Sequence, residues 1–280
     1  MTSQINDRAA RINRYRLQLY IVLCSVLISF FFCPGLFAQG NGAHKPKQVY
    51  VVIVGVSEYS DKKNNLNYAE ADARKMYRKM VKLGVPESNI GLLTNEAATK
   101  TGITSSITQL FYQAGPQDEV ILFFSGHGGP GFIVPTDIPN FLYYNDLKAL
   151  FRKCRANEKI ILLDACYSGG IRTKQESDDN NPSENHLPAL SGSKEIVVFS
   201  SSRDDQTSGE SVAYHGFFTN FLLQAFDGKA DADGDGYVTF KELFDYVNAH
   251  VKDLSGGKQV PVMFGSFDPN KHFFRVAASN

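Results

Sequence analysis

Two glycine-rich segments each carry one side chain that can take part in nucleophilic chemistry. Ser-Gly-His-Gly-Gly occupies 125–129 with His127 at its centre, and Asp-Ala-Cys-Tyr-Ser-Gly-Gly occupies 164–170 with Cys166 as its third residue. A cysteine thiolate is a strong nucleophile, and an imidazole beside it can remove the thiol proton and later protonate a leaving amine. These residue types therefore predict a cysteine hydrolase that cleaves amide bonds, with Cys166 as the nucleophile and His127 as its base.

Each of these segments follows a short apolar run. Residues 120–124 precede the histidine segment and residues 160–163 precede the cysteine segment, and both runs are typical of buried strands. Sites in open α/β sheets form beyond the carboxyl ends of the strands, so adjacent parallel strands would bring His127 and Cys166 to one edge. The glycines leave room for a peptide against the backbone, and the amides of Gly128 and Cys166 are predicted to form an oxyanion hole.

The rest of the body alternates between strands and helices. Strands are predicted at 49–54, 90–93, 120–124, 160–163, 196–199 and 260–264, and helices at 69–83, 104–114, 146–154, 217–226 and 240–251. This alternation predicts an α/β fold, a three-layer α/β/α sandwich around a mostly parallel six-stranded sheet. The stretch 172–194 loses the periodicity and fills with Asp, Asn, Ser, Glu and Pro, so it is predicted to be a flexible loop.

A second chemical motif lies near the C-terminus, in residues 231–242. It matches the twelve-residue EF-hand loop, in which alternating carboxylates, one carbonyl and a final glutamate bind calcium around a central glycine turn. The predicted ligands are Asp231, Asp233, Asp235, the carbonyl of Tyr237 and Glu242, with Gly236 at the turn and Thr239 holding a water. A structural Ca²⁺ is the expected cofactor, and no organic cofactor is expected. The alternative is an acidic turn at the start of a helix, without an ion.

The N-terminal 38 residues have the layout of an export signal. Four arginines and one acid precede an apolar run over 17–32, and Ala38 offers a small residue for cleavage. An uncleaved membrane anchor is the alternative, because the run is only slightly shorter than the ~20 residues of a spanning helix. In both cases the body, 48–276, is expected outside the cytoplasm, secreted or tethered, after a short linker over 39–47.

The composition of the body narrows the classes of partner. Basic and acidic side chains number 29 each in the whole chain, and residues 39–280 carry 25 basic against 28 acidic ones. This mildly acidic balance without a basic stripe argues against a nucleic-acid partner and against binding to an anionic membrane surface. The expected partner is a peptide or protein substrate, with membrane contact only through an uncleaved N-terminal segment. Cys154 is interpreted as an ordinary helix cysteine, although a Cys154–Cys166 disulfide stays open.

The two glycine-rich motifs resemble those of the caspase-like peptidases (peptidase C14), the clan of caspases, metacaspases and related bacterial enzymes. Ser-Gly-His-Gly at 125–128 is similar to the family's histidine motif, and Asp-Ala-Cys-Tyr-Ser-Gly at 164–169 is similar to its cysteine motif. The resemblance covers most of 48–276 and points to the bacterial type. It implies a caspase-hemoglobinase fold and an endopeptidase whose catalytic dyad, Cys166 and His127, forms a thioester acyl-enzyme.

The same resemblance implies where specificity arises. Asp164 departs from the glutamine of the true caspase signature and lies where the family places a wall of the primary specificity pocket. Asp72 occupies the place of a second pocket acid in metacaspases, and Asp204 and Asp205 match a loop that lines the cleft. Carboxylates there would attract Arg or Lys before the scissile bond and repel Asp. For Asp72 the alternative is an acid in the first turn of a helix, where it complements the helix dipole.

Two other functions are compatible with the sequence. One is a catalytically idle caspase-like module that binds or scaffolds other proteins, and the other is a hydrolase of non-protein esters or amides. The family resemblance also implies self-processing in the loop 172–194, which carries Arg172 and Lys174. A passive surface loop is the alternative for that stretch.

Overall fold

A computed structural model describes residues 46–129, 131–165, 196–201, 216–265 and 267–276. The export signal or anchor, nearly all of the linker, Cys166, the loop 172–194 and the pair Asp204 and Asp205 lie outside these residues. In chain order the elements are β1 (Val49–Gly55), α1 (Ala69–Lys82), β2 (Ile90–Thr94), α2 (Lys100–Phe111), β3 (Glu119–Ser125), β4 (Gly128–Gly129), β5 (Phe132–Ile133), β6 (Leu142–Tyr143), α3 (Tyr144–Lys153), β7 (Glu158–Asp164), β8 (Ile196–Ser200), α4 (Phe217–Gln224), β9 (Tyr237–Thr239), α5 (Phe240–Leu254), β10 (Val262–Phe264) and β11 (His272–Arg275).

The central sheet has six strands in the order β10-β8-β7-β3-β1-β2. Every neighbouring pair is parallel except β10 with β8, which is antiparallel. The prediction of a mostly parallel six-stranded α/β sheet is therefore confirmed. Because β3 lies between β1 and β7, the histidine and cysteine segments follow neighbouring strands.

Alternation of side chains along the strands divides the core into two layers. Val52 and Phe124 belong to the core that includes Ile103, Ile107 and Phe111 of α2 and Leu147 and Phe151 of α3. Their neighbours Ile53 and Phe123 belong to the second core, which includes Ala73, Met76 and Met80 of α1, Phe218 and Leu222 of α4, and Leu243, Val247 and Val251 of α5. Both faces of the sheet are covered, so the strands appear in the sequence as continuous apolar runs. Burial of each Phe contributes about 2–3 kcal/mol to the free energy of folding.

Helix and strand boundaries differ from the prediction where capping decides them. The predicted helix at 104–114 is wrong at both ends, because α2 runs from Lys100 to Phe111. It begins early because the Thr99 hydroxyl accepts a hydrogen bond from the Gly102 amide, a capping contact that periodicity does not reveal. Helix α5 continues to Leu254, three residues beyond the predicted end.

Two small sheets were not predicted. Strands β4, β5 and β6 form a three-stranded antiparallel sheet directly after His127, and β9 pairs with β11 near the C-terminus. Their strands have two to four residues, which is too short for a period-two pattern to stand out. The first of these sheets shapes the histidine segment, and the second supports the acidic loop.

Cys154 is a buried structural cysteine. It is 4% exposed, its thiol donates to the Phe111 carbonyl at 3.0 Å, and burial raises the pKa of the thiol. Cys154 is a free cysteine, so the alternative of a Cys154–Cys166 disulfide is wrong.

No helix among the described residues is long and apolar enough to cross a membrane. The apolar run over 17–32, which carries the prediction of a signal or an anchor, lies outside those residues.

Candidate active site

The histidine segment begins where β3 and β7 end side by side. Ser125 and Asp164 are register partners at the carboxyl ends of the two strands, and the Gly126 amide donates to the Asp164 carbonyl at 3.2 Å. His127 follows Ser125 by two residues, and position 166 follows Asp164 by two residues. Each of the two candidate catalytic residues therefore comes two positions after one of these register partners in the sequence. Cys166 itself lies outside the described residues, and its role stays a prediction.

The imidazole of His127 has a defined partner on one nitrogen. Its Nε2 lies 2.8 Å from the main-chain oxygen of Asn64. Because a carbonyl oxygen can only accept, this contact requires the hydrogen to be on Nε2, which leaves Nδ1 as the basic nitrogen of the neutral ring. The ring also lies against Tyr59, with centroids 4.9 Å apart. This half-buried imidazole can take up a proton at Nδ1.

Gly128 presents its amide away from the small sheet. The register pairs Gly128 with Ile133, and the Val134 amide donates to the His127 carbonyl at 2.9 Å. In an antiparallel ladder, hydrogen-bonded residue pairs alternate with non-hydrogen-bonded pairs. Gly128 stands at a non-hydrogen-bonded position, so its N–H points to the side of β4 opposite β5. That direction leaves the amide available as a donor for an oxyanion.

Asp164 is a buried carboxylate at the end of β7. It is 1% exposed, and its Oδ2 accepts hydrogen bonds from the Thr219 hydroxyl at 2.6 Å and the Thr219 amide at 3.2 Å. Thr219 is the third residue of α4, so the carboxylate lies at the helix end where amides and the helix dipole favour negative charge. These contacts hold Asp164 in place without a described basic side chain at its oxygens.

Asp72 is the second buried acid in this region. It is 3% exposed, its Oδ1 lies 3.3 Å from the Lys75 ammonium, and its Oδ2 has no hydrogen-bond partner among the described residues. Burial and, to a smaller extent, the negative charge of Asp164 raise the pKa of Asp72 to about 7, although Lys75 opposes the shift. A Cβ added at Gly216, the residue that caps α4, would lie 3.4 Å from Asp72 Oδ2.

Both predicted pocket acids thus meet at the N-terminus of α4, and their charges influence each other. Asp72 also lies in the first turn of α1, so the alternative of a carboxylate that complements the helix dipole fits as well. The specificity roles of Asp72 and Asp164 remain predictions, as do those of Asp204 and Asp205.

The acidic loop 231–242 has a geometry suited to a divalent ion. Carboxylate oxygens of Asp231, Asp233 and Asp235 lie within 4.8 Å of one another. Gly236 adopts a φ of +84°, which favours glycine at the turn. Glu242 reaches back from α5, and its Oε1 accepts from the Ala232 amide at 3.0 Å. An oxygen-rich donor set of this kind fits calcium.

The second half of this loop contacts two neighbouring elements, β11 and α5. Strand β9 pairs with β11, and the Val276 amide donates to the Gly236 carbonyl at 2.9 Å. On the other side, Thr239 caps α5 in a reciprocal arrangement with Glu242. The second half of the loop is therefore joined to both α5 and β11.

Three residues at the site had no signal in the sequence. Tyr59 and Asn64 contact His127 from a loop more than 60 positions earlier, and Thr219 holds Asp164 from 55 positions later. None of them is a reactive residue type in a recognisable motif. Only the chain path brings them to the candidate active site.

Comparison with known proteins agrees with this architecture. A caspase-domain family model matches residues 48–272. Metacaspase-2 of Arabidopsis thaliana is 29% identical over 247 residues, covering 74% of this chain and 57% of that protein. A vacuolar-processing enzyme of Vicia sativa is 31% identical over 94 residues, covering 32% of this chain and 18% of that enzyme. The chain thus spans little more than half of the first relative and a smaller part of the second.

A solved structure is similar in fold. The crystal structure of a Geobacter sulfurreducens protein matches with a TM-score of 0.56 and 21% identity, covering 82% of this chain and 99% of that one. At this identity the match bears on the fold alone. Because the caspase-domain model extends over most of the chain, this protein belongs to the caspase-domain family of peptidases.

Proposed function

We propose that this protein is a cysteine endopeptidase in which Cys166 is the nucleophile and His127 is the general acid and base. The observation that carries the proposal is the pairing of Ser125 with Asp164 at the ends of β3 and β7. In the sequence His127 and Cys166 each follow one of these register partners by two positions, which supports the proposal. Membership of the caspase-domain family supports the same chemistry.

The reaction follows from the donors and acceptors of the site. His127 Nδ1 removes the thiol proton, and the thiolate adds to the carbonyl carbon of the substrate peptide. The Gly128 and Cys166 amides stabilise the oxyanion, and the carbon–nitrogen bond breaks as His127 returns the proton to the leaving amine. A water, deprotonated by His127, then hydrolyses the thioester and releases the acid product. The Asn64 carbonyl stabilises the imidazolium that forms between these steps.

For specificity we propose cleavage after Arg or Lys. Asp72 and Asp164 are both buried at the N-terminus of α4, and Asp72 keeps one oxygen without a described partner. A cationic side chain between them would donate charge-assisted hydrogen bonds to the two carboxylates, while an acidic one would meet like charge. Asp204 and Asp205 are proposed to line the same cleft.

The test is hydrolysis of fluorogenic peptides that end in Arg, Lys or Asp. We expect activity on Arg and Lys, and a loss of about 10²- to 10⁴-fold or more in His127→Ala and Cys166→Ala, the range for removal of an acid–base or nucleophilic group. A preference for Asp would contradict the pocket assignment. Unchanged turnover in Cys166→Ala would contradict the nucleophile.

The same protein preparations separate the alternative functions. A peptidyl chloromethyl ketone should label Cys166, and casein should be degraded. An idle scaffolding module predicts neither result, and a hydrolase of non-protein esters predicts labelling while casein stays intact.

We also propose that Asp231, Asp233, Asp235, the Tyr237 carbonyl and Glu242 hold a structural Ca²⁺. The carboxylate cluster and the positive φ at Gly236 support it. Calorimetry should detect a site of about 10⁻⁴–10⁻³ M or tighter, as in extracellular calcium modules. Glu242→Gln should abolish the heat, whereas Asp245→Asn, an exposed acid on the same helix, should retain it. Equal binding by both variants would contradict the site.

The N-terminal 38 residues are proposed to export the chain, with an uncleaved anchor as the alternative, and N-terminal sequencing of the mature protein distinguishes the two. Self-processing within 172–194 is proposed as well. If a Cys166→Ala protein were still cut at the same place, an autocatalytic origin would be excluded.

A further inference from the structure

Tyr59 contacts the backbone of the candidate catalytic histidine. It lies in the segment after β1 and is 5% exposed. The His127 amide donates to the Tyr59 hydroxyl oxygen at 2.8 Å, and the two rings lie 4.9 Å apart at an angle of 42°. The contact therefore involves both the main chain and the ring of His127.

The hydrogen bond to Tyr59 determines how β4 begins. The His127 carbonyl accepts from the Val134 amide at 2.9 Å, as in an antiparallel pair in which the two residues exchange both bonds. The His127 amide, which would return the second bond of such a pair, donates to Tyr59 instead. The Tyr59 bond thus holds the peptide before His127, and the Val134 bond holds the peptide after it, which carries the Gly128 N–H.

Gly126 makes room for the tyrosine. A Cβ at this position would lie 3.0 Å from the Tyr59 oxygen and 2.9 Å from the Phe124 ring. Real Cβ atoms rarely approach other atoms so closely, so a side chain at 126 would push the hydroxyl away from the His127 amide. The glycine before the histidine thus serves the Tyr59 contact as well as substrate access.

A single loop, 57–66, holds His127 from two sides. Tyr59 binds its amide, and the Asn64 carbonyl binds its Nε2. The loop is closed by the Leu66 amide, which donates to the Ser57 carbonyl at 2.8 Å. It is also supported by Asn65 Oδ1, which accepts from the Tyr59 amide at 2.9 Å.

The end of β2 fixes the start of this loop. Asn95 Oδ1 accepts from the Ser57 amide at 2.9 Å and the Glu58 amide at 3.1 Å. Asn95 holds a φ of +46°, a left-handed conformation that is uncommon for a residue with a side chain. These hydrogen bonds anchor the start of the loop that contacts His127 through Tyr59 and Asn64.

We propose that Tyr59 is a positioning residue for peptide hydrolysis, whose hydroxyl orients the His127 imidazole and the Gly128 amide toward the reacting carbonyl. The proposal rests on the proposed function. It predicts a defect in turnover and not in substrate binding, because Tyr59 acts through His127 and Gly128.

The test compares Tyr59→Phe with Tyr50→Phe, a tyrosine of β1 that is 6% exposed and lies outside the site. Tyr59→Phe keeps the ring and removes only the hydroxyl. We expect its kcat to fall about 10- to 100-fold, the scale of a small misplacement of catalytic groups, with KM changed by less than about twofold. The Tyr50→Phe protein should keep the wild-type kcat.

Two further readouts separate positioning from a merely structural role. The pH–rate profile for alkylation of Cys166 should move to higher pH in Tyr59→Phe, because a displaced imidazole stabilises the thiolate less. Hydrogen exchange of the His127 amide should accelerate in the same variant. Unchanged kcat and pH profile, or an unchanged exchange rate, would overturn the role of Tyr59 while the wild type stays active. A wild type that neither cleaves peptides nor reacts at Cys166 would instead remove the proposed function, and this inference with it.

Discussion

Acidic side chains lie at both ends of the β3–β7 pair, but their surroundings differ. At the amino ends, Glu119 of β3 pairs in register with Glu158 of β7. Lys47 lies 2.7 Å from Glu119 and 2.9 Å from Glu158, and Lys271 lies 2.9 Å from Glu158. At the carboxyl end of β7, Asp164 is held by Thr219, and nearby Asp72 keeps one oxygen without a described partner.

The pKa values of these acids depend on how deeply each is buried and on how many cations contact it. Burial raises the pKa of Asp72 to about 7, and burial likewise raises that of Glu119 to about 7 in spite of Lys47. For Glu158 burial acts in the same direction, but hydrogen bonds from Lys271 and Lys47 outweigh it and the pKa falls below its usual value. The acids at the amino ends are therefore paired with Lys47 and Lys271, whereas the described cation at the other end is Lys75, which contacts Asp72.

The most direct test of this comparison replaces one carboxylate at each end of β7 with the corresponding amide. We expect Asp164→Asn to lower kcat/KM for an Arg-ending peptide about 100- to 1000-fold, because a desolvated cation would lose its charged partner. Glu158→Gln at the other end of the strand should stay within about twofold of the wild type. Steady-state kinetics with active-site titration measures both. Retention of the Arg preference by Asp164→Asn would show that the pocket lies elsewhere.

A second prediction concerns stability and has opposite signs for Asp72 and Glu158. The raised pKa of Asp72 means that the native state holds a proton that the unfolded chain has already lost, so stability falls as pH rises from about 4 to about 7. Relative to the wild type, Asp72→Asn should gain about 2–4 kcal/mol between pH 4 and pH 8, the linkage value of a shift of this size.

The matched variant in that experiment is Glu158→Gln. The lowered pKa of Glu158 contributes stability above its unfolded value that is lost as pH falls. Its removal should therefore destabilise the protein at pH 8, by about 1 kcal/mol because the carboxylate is partly exposed. Urea titrations at the two pH values give the free energies of unfolding. Destabilisation of Asp72→Asn at pH 8 would contradict the conclusion that burial of the ionised Asp72 carboxylate costs more stability than Lys75 restores.

The smallest predicted effect concerns the pH dependence of peptide binding near Asp72. Calorimetry on the Cys166→Ala protein should show binding of an uncleaved Arg-containing peptide that tightens about tenfold between pH 6 and pH 8, as Asp72 ionises through a pKa of about 7. The added Asp72→Asn substitution should flatten this dependence. The same slope in both proteins would assign the proton to another group.

Much of the fold followed from the sequence because its signals are local. Apolar runs flanked by glycine predicted the strands of the main sheet, and the order of elements predicted its parallel arrangement. The start of α2 was misplaced because the Thr99 cap is a side-chain contact and not a periodic pattern. Strands β4 to β6, β9 and β11 were missed because pairing of such short segments depends on partners distant in the chain.

The candidate site divides in the same way. His127 and Gly128 were predictable because a reactive residue type lies among glycines after an apolar strand, and Asp72 and Asp164 through the family resemblance. The contacts of Tyr59, Asn64 and Thr219 could not be predicted from the sequence, because they join residues at least 55 positions apart. Whether a tyrosine or threonine packs in a core or supports a site depends on what lies opposite it.

By itself the sequence determined the types of chemistry available to this protein: a cysteine and a histidine after two strands, acids that the family resemblance assigns to a specificity pocket, and an acidic loop with the spacing of a calcium ligand set. The tertiary structure decided the register of β3 against β7, the basic nitrogen of His127, the direction of the Gly128 amide and the partners of each buried acid. These properties depend on distances between segments that are far apart in the chain. The reactive groups are set by the side-chain types in the sequence. Their orientation and protonation depend on the neighbours that folding brings to them.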